Sequence, residues 1–280
     1  MNGFAEGPAA GMPFIVLSAP NGARRGKSDH AQLPVTAAEI AMCAEQVLEA
    51  GASVLHLHVR DADGRHTLDA DTYRAAISAV RERVGDRLVI QATTEACGRY
   101  SREEQIAAVI ELQPEAVSIA LRELCPDEDS EQEAAAFFAW LRANGILPQY
   151  ILYSPDEVAR FEDLRRRGVF AEEQPFVLFV LGRYTRELRG DPGDLERFRA
   201  ALGQDAPEWS VCCFGAMEND AARRAAAEGG HARVGFENNL CLPDGSPAMN
   251  NADLVRLAAG HARASQRTLA TAHDVRDRFA

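Results

Sequence analysis

A chain of 280 residues with a formal net charge of −12 repels nucleic-acid backbones and anionic membrane surfaces, which leaves a small molecule as the expected partner. The length suits one large domain with a well-buried core, and six cysteines without CxxC spacing read as small core residues of a reducing cytoplasm. No stretch is long enough to span a membrane, and residues 1–12, rich in Gly and Ala, read as a flexible tail ahead of a domain at 13–280.

Taken in order, Pro13 to Ala19 is a short apolar run that reads as a buried strand, closed by the turn signal Pro20-Asn21-Gly22. The following loop gathers Arg24, Arg25, Lys27, Asp29 and His30, a basic cluster in an acidic chain that is either solvated surface or an anion-binding loop. Thr36 with Glu39 has capping-box spacing and opens a helix with Ile40, Cys43, Val47 and Leu48 on its apolar side, stopped at Gly51. A strand from Val54 to Asp61 follows, then a turn at Ala62-Asp63-Gly64 and a helix from about Ala70 to Val84.

The same unit repeats along the chain. Strands are expected at Leu88 to Thr93, Ala116 to Ala120, Leu147 to Tyr153, Phe176 to Leu181, Trp209 to Phe214 and Ala232 to Glu237. Helices are expected at Ser101 to Leu112, Ser130 to Ala143, Ser154 to Arg167, Pro192 to Leu202, Glu218 to Glu228 and Asn250 to Ala264. Eight apolar strands alternating with eight helices force parallel pairing and predict an α/β fold of the (β/α)8 TIM-barrel type in a single domain. A doubly wound sheet is the alternative, disfavoured because no GxGxxG turn follows the first strand.

The strand Val54 to Asp61 carries the chemistry. Side chains alternate along a strand, so His56 and His58 share a face with Cα atoms about 6.5–7 Å apart, close enough for both imidazoles to reach one metal ion. On the last strand Arg233, Gly235 and Glu237 share a parity, and a closed barrel brings that strand near His56 and His58. Glu237 then completes a His2Glu set with an open position for a substrate. Thr93, Thr94 and Ser118, at the ends of their strands, are candidate hydroxyl donors to a substrate carboxylate, or caps of the loops that follow.

The order APNGARR, LPVT, HLHVRDADGR, a TT after the third strand, GGHARVGFENN and MNNADLV resembles the β-keto acid cleavage enzyme family over most of the chain. The resemblance implies a zinc-dependent barrel, with one Zn2+ per subunit, that exchanges acyl groups between a β-keto acid and acetyl-CoA as co-substrate, giving acetoacetate and a new acyl-CoA, in a homotetramer. It places the zinc ligands on His56, His58 and Glu237 and the catalytic arginine on Arg233, with Asn21, Arg24 and Arg25 as candidate substrate-binding residues of the first loop. Three positions depart from the family. Asn238 stands where many relatives have an aspartate; it offers hydrogen bonds but no basicity, and is expected to orient Arg233 or the substrate. Glu95 stands where relatives often have glycine, and becomes the first candidate base, with Asp61 the second and with Arg233 and the metal acting alone as the alternative. Gln149 and Ile151 lack the acidic character that relatives acting on amine-bearing substrates carry, which predicts a neutral or anionic substrate tail. A lyase or hydrolase that uses no CoA, and a catalytically silent barrel that binds a keto acid, are the alternative readings.

Overall fold

The computed structural model describes residues 11–279 apart from 186 and 204, so most of the expected tail lies outside the described residues. The strands are β1 (Val16–Ser18), β2 (Val54–Leu57), β3 (Val59–Arg60), β4 (His66–Thr67), β5 (Val89–Thr93), β6 (Ala116–Ala120), β7 (Leu147–Leu152), β8 (Phe176–Leu181), β9 (Trp209–Cys213) and β10 (His231–Val234). All but β3 and β4 pair in parallel into a closed barrel of order β1-β10-β9-β8-β7-β6-β5-β2. The helices are α1 (Ala37–Ala50), α2 (Ala70–Val84), α3 (Arg102–Leu112), α4 (Leu121–Leu124), α5 (Glu131–Ala143), α6 (Pro155–Arg166), α7 (Leu195–Leu202), α8 (Glu218–Ala227), α9 (Asn251–Ala264) and α10 (Ala272–Phe279). None is long and apolar enough to cross a membrane.

Local chemistry explains the boundaries. The expected capping box forms: Thr36 Oγ1 accepts from the Glu39 amide at 3.3 Å while Glu39 Oε2 accepts from the Thr36 amide at 3.0 Å, and Ser101 and Glu104 build a second one for α3. The helix expected from Pro192 starts as a 3-10 turn over Pro192–Asp194 before α7 takes over.

Two apolar shells fill the molecule. Strand residues facing outward, such as Leu55, Leu57, Val177 and Phe179, pack under the helices. Inside the barrel, Leu17, Val54, Val89, Ala116, Leu147 and Phe176 fill the N-terminal end. That end is sealed by α10, which the sequence pattern does not announce and which contributes Ala272 and Val275. At the C-terminal end a small apolar patch of Ile151, Leu178, Val180, Cys212 and Phe214 shares the barrel mouth with buried polar side chains such as His56, His58 and Arg233.

Two expectations need correction. The strand expected through Asp61 ends at Leu57, and Val59–Arg60 instead pairs antiparallel with His66–Thr67 as a small hairpin. The break falls at His58, whose carbonyl accepts from Asn21 Nδ2 at 2.9 Å instead of joining the ladder. The last strand ends at Val234 rather than Glu237, because Gly235 takes a φ of +140° that only glycine adopts readily. A Cβ there would lie 2.4 Å from the Ala19 carbonyl oxygen.

Candidate active site

His56 points up the barrel from β2, and His58 follows just past its end. Their Nε2 atoms are 3.0 Å apart. Glu237 arrives from the other side of the seam on the turn Gly235–Asn239, which is held by the Asn238 and Asn239 amides donating to the Gly235 carbonyl at 2.8 and 3.0 Å. Its Oε2 lies 3.5 Å from His56 Nε2 and 3.6 Å from His58 Nε2, while its Oε1 accepts from Arg233 Nη2 at 3.1 Å. Parity along an extended strand was the expected route for Glu237; a tight turn delivers it instead.

These three groups fit a metal ion. Tetrahedral zinc with bonds of about 2.0–2.1 Å separates its ligand atoms by about 3.3–3.4 Å, and the three observed separations straddle that value. Glu237 Oε2 is a buried atom without a hydrogen-bond donor, an arrangement that costs free energy unless a cation meets it. Burial first, then the Arg233 charge, lowers the His56 pKa to about 3, and burial and the His56 ring hold His58 well below the usual histidine range. Both rings are therefore neutral and able to offer a lone pair.

Around the triad lies a narrow cleft at the C-terminal ends of the strands, where barrels of this kind place their chemistry. One wall is apolar: Ala120, Ile151, Tyr153, Val180 and Phe214. The other carries Thr93, Glu95, Arg183 and Arg233. Arg183 Nη2 pairs with Glu95 Oε1 at 3.4 Å, and its guanidinium lies 5.4 Å from the centre of the Phe214 ring. A second opening, lined by Arg24, Arg25 and Leu188, shares Glu95, Arg183, Phe214 and Glu237 with the cleft. Arg183 was missed from the sequence, although its place two residues past the end of β8 is the same signal that singles out His58.

The other candidates divide. Thr93 lines the cleft and its Oγ1 accepts from the Glu95 amide at 3.0 Å, leaving its own proton to donate. Thr94 instead donates to the Ser118 carbonyl at 3.0 Å, and Ser118 Oγ is buried in the barrel without a partner. Asn21 is committed to the Pro34 and His58 carbonyls at 3.0 and 2.9 Å, so it shapes the site without facing the cleft. Arg25 donates to the Phe236 carbonyl at 2.6 Å, clamping the turn that carries Glu237, and Lys27 pairs with Glu39 at 2.6 Å. Only Arg24 of that basic cluster remains exposed beside the opening. Arg60 reaches the Gly22 carbonyl rather than a histidine, and Asp61 pairs with Arg65 at 3.2 Å, so these two neighbours of His58 do not pair with each other.

Asn238 departs most from expectation. Its Nδ2 donates at 3.2 Å to both the Arg233 carbonyl and Glu218 Oε1, so it meets the backbone of Arg233 and not its guanidinium. Glu218, unsuspected from the sequence, also accepts from the Gly235 amide at 3.0 Å and from Asn239 Nδ2 at 3.4 Å. Burial raises its carboxyl to about 8. An aspartate at 238 would set a second acid against this group.

Comparison with known proteins adds an independent line. Residues 13–280 match the sequence model of the beta-keto acid cleavage enzyme family. The chain is 30% identical over 271 residues to a 3-keto-5-aminohexanoate cleavage enzyme of Fusobacterium nucleatum, covering 94% of this chain and 96% of that one. It is 24% identical over 270 residues to a 3-oxoadipate:acetyl-CoA acetyltransferase of Cupriavidus necator, covering 94% and 93%. Among solved structures, a complex of ObcA with oxaloacetate superposes with a TM-score of 0.70 at 20% identity, over 89% of this chain and 67% of that one; at that identity the likeness speaks for the fold alone.

Proposed function

The chain belongs to the β-keto acid cleavage enzyme family, and from that premise we propose that it is a zinc-dependent transferase that exchanges acyl groups between a β-keto acid and acetyl-CoA, releasing acetoacetate and a new acyl-CoA. The observation that carries the reading is the convergence of His56, His58 and Glu237 on one point beside the buried Arg233. A zinc ion held there supplies Lewis acidity toward the oxygens of a keto acid.

The protein's own groups account for the rest. Arg233 keeps its charge under all ordinary conditions and offers hydrogen bonds to negative charge that develops on the substrate. Thr93 presents a hydroxyl donor in the same cleft. Glu95 is the carboxylate placed to take a proton, and Arg183 holds its position until a substrate enters. The apolar wall of Ile151, Val180 and Phe214 receives the substrate's tail. With Arg25 and Lys27 engaged elsewhere, Arg24 and Arg183 are the cations left beside the cleft, and the expected tail stays neutral or anionic rather than amine-bearing. The same reading carries a homotetramer in the cytoplasm, with size-exclusion light scattering as the check on assembly.

The decisive experiment is acetoacetate release from a panel of β-keto acids with and without acetyl-CoA, before and after chelation of metal. Release that requires both CoA and metal, with acids of neutral or anionic tail giving the highest kcat/KM, supports the proposal. Release without CoA would make the protein a lyase or hydrolase, binding without turnover would make it a keto-acid receptor, and an amine-bearing acid as best substrate would overturn the tail assignment.

A further inference from the structure

Beneath the cleft a row of side chains crosses the barrel from β2 to β9. His56 Nδ1 lies 2.9 Å from Gln91 Oε1, Gln91 Nε2 donates to Gln149 Oε1 at 3.3 Å, and Gln149 Nε2 donates to Ser210 Oγ at 3.1 Å. Ser210 Oγ in turn donates to the Val177 carbonyl at 3.2 Å. None of the four side chains is more than 3% exposed, so each polar atom depends on its neighbour.

The row has a direction, and its far end sets it. A carbonyl oxygen only accepts, so the Ser210 proton goes to Val177 and the Ser210 lone pair accepts from the Gln149 amide. The Gln149 oxygen then faces Gln91 and accepts from its amide, which leaves the Gln91 oxygen facing His56. An oxygen there requires the neutral imidazole to carry its proton on Nδ1. The lone pair is thereby fixed on Nε2, the atom aimed at His58 and Glu237. Turning every amide over would send an N–H toward Nδ1, move the ring proton to Nε2 and block ligation there. It would also spend the Ser210 proton on Gln149 and forfeit the bond to Val177, so the reversed row makes three bonds where the observed one makes four.

We infer that Gln149 and Ser210 are positioning residues for His56, acting through Gln91 across the barrel to hold the imidazole in the tautomer that can ligate a metal. The inference rests on the reading that His56, His58 and Glu237 hold an ion. It also removes Gln149 from substrate selection, since its amide is committed below the cleft and only Ile151 of that pair lines the wall.

Co2+ titration of the metal-free protein, followed by its visible absorption, tests this. Gln149→Met keeps the volume but removes the acceptor that orients Gln91, and should weaken Co2+ binding about 10- to 100-fold, the usual effect of losing an outer-shell partner. Gln149→Glu keeps an oxygen facing Gln91 whether or not it is protonated, and should stay within about threefold of the parent. A residue needed only for packing predicts the opposite order, because methionine suits a buried site better than an acid does. Ser210→Ala removes the anchored end of the row and should weaken binding in the same direction, which keeps the test open if Gln149→Met does not fold. Parental affinity in folded Gln149→Met and Ser210→Ala would overturn the relay while leaving the metal site standing. No Co2+ binding by the parent, or undiminished binding in His56→Ala, would overturn the metal site and the relay with it.

Discussion

Gly22 offers a sharp test of the site because it touches the third proposed ligand without belonging to it. A Cβ added there would lie 2.5 Å from Glu237 Cγ, 3.0 Å from its Cβ and 3.2 Å from its Cδ. Carbon atoms rest at about 3.5–4.0 Å, so in Gly22→Ala the glutamate must retreat by roughly 1 Å. Its Oε2 now stands 3.5 and 3.6 Å from the two histidine nitrogens, and a displacement of about 1 Å in a reacting constellation can cost about 10²-fold in rate, equivalent to about 2.7 kcal/mol. A separate cost arises because Gly22 has a φ of +58°, where a residue with a Cβ is disfavoured by roughly 1–2 kcal/mol. Gly64→Ala isolates that backbone cost: Gly64 has a φ of +77° and nothing within 4 Å of its would-be Cβ. The two variants should lose similar urea stability, but only Gly22→Ala should lose metal affinity and kcat/KM. If metal affinity in Gly22→Ala fell by no more than about threefold relative to Gly64→Ala, the placement of Glu237 as a ligand would be wrong.

Three further outcomes are expected. His56→Ala and His58→Ala should each reduce zinc per chain measured by elemental analysis, and undiminished zinc in both would refute the ligand assignment. Glu95→Gln should lower kcat by about 10²- to 10⁴-fold with metal content unchanged, as loss of general-base assistance does; a kcat near the parent's would remove Glu95 from the mechanism. Glu218 is held near pKa 8 by burial against an ordinary value of 4.5, so the folded chain keeps a proton that the unfolded chain releases, and stability should fall between those pH values. The slope from this group is at most about 1.4 kcal/mol per pH unit, Glu218→Gln should flatten it in urea titrations at pH 5 and pH 8, and identical slopes in parent and variant would contradict the assignment.

Much of this could be read from residue order, and the remainder failed for identifiable reasons. The barrel was legible because each barrel strand is a short apolar run and several helices carry their own start signal, Thr36 and Ser101 being the clearest. His56 and His58 were legible because period 2 survives even though the strand stops between them. Glu237 was reached by the wrong route: alternation and a Gly-centred turn both return the residue four places on to the face of Arg233, and only coordinates separate them. Gln149 and Ile151 share a parity but lie one layer apart, about 6.5–7 Å along the strand, and periodicity carries no information on depth. The engagement of Arg25 with the Phe236 carbonyl spans 211 positions, beyond any local pattern. Arg183 sits in a connection, where neither period applies, and Glu218 opens α8, where an acidic residue in the first turn reads as an ordinary complement to the helix N-terminus.

The seam between β1 and β10 has a consequence for how the chain matures. The Ile15 amide donates to His231 Nδ1 across 216 positions, Phe14 bridges to Leu269, and Arg267 Nε donates to the Met12 carbonyl at 2.9 Å. During synthesis the strands from β1 to β9 can therefore assemble only as an open curved sheet, with bare edges at β1 and β9 and an apolar inner floor in water. Closure waits until residues near 270 have left the ribosome, and such an interval is when unpaired edges recruit other chains. A nascent chain of this design is most exposed to aggregation late in its synthesis, and a chaperone that shields sheet edges would act on it there.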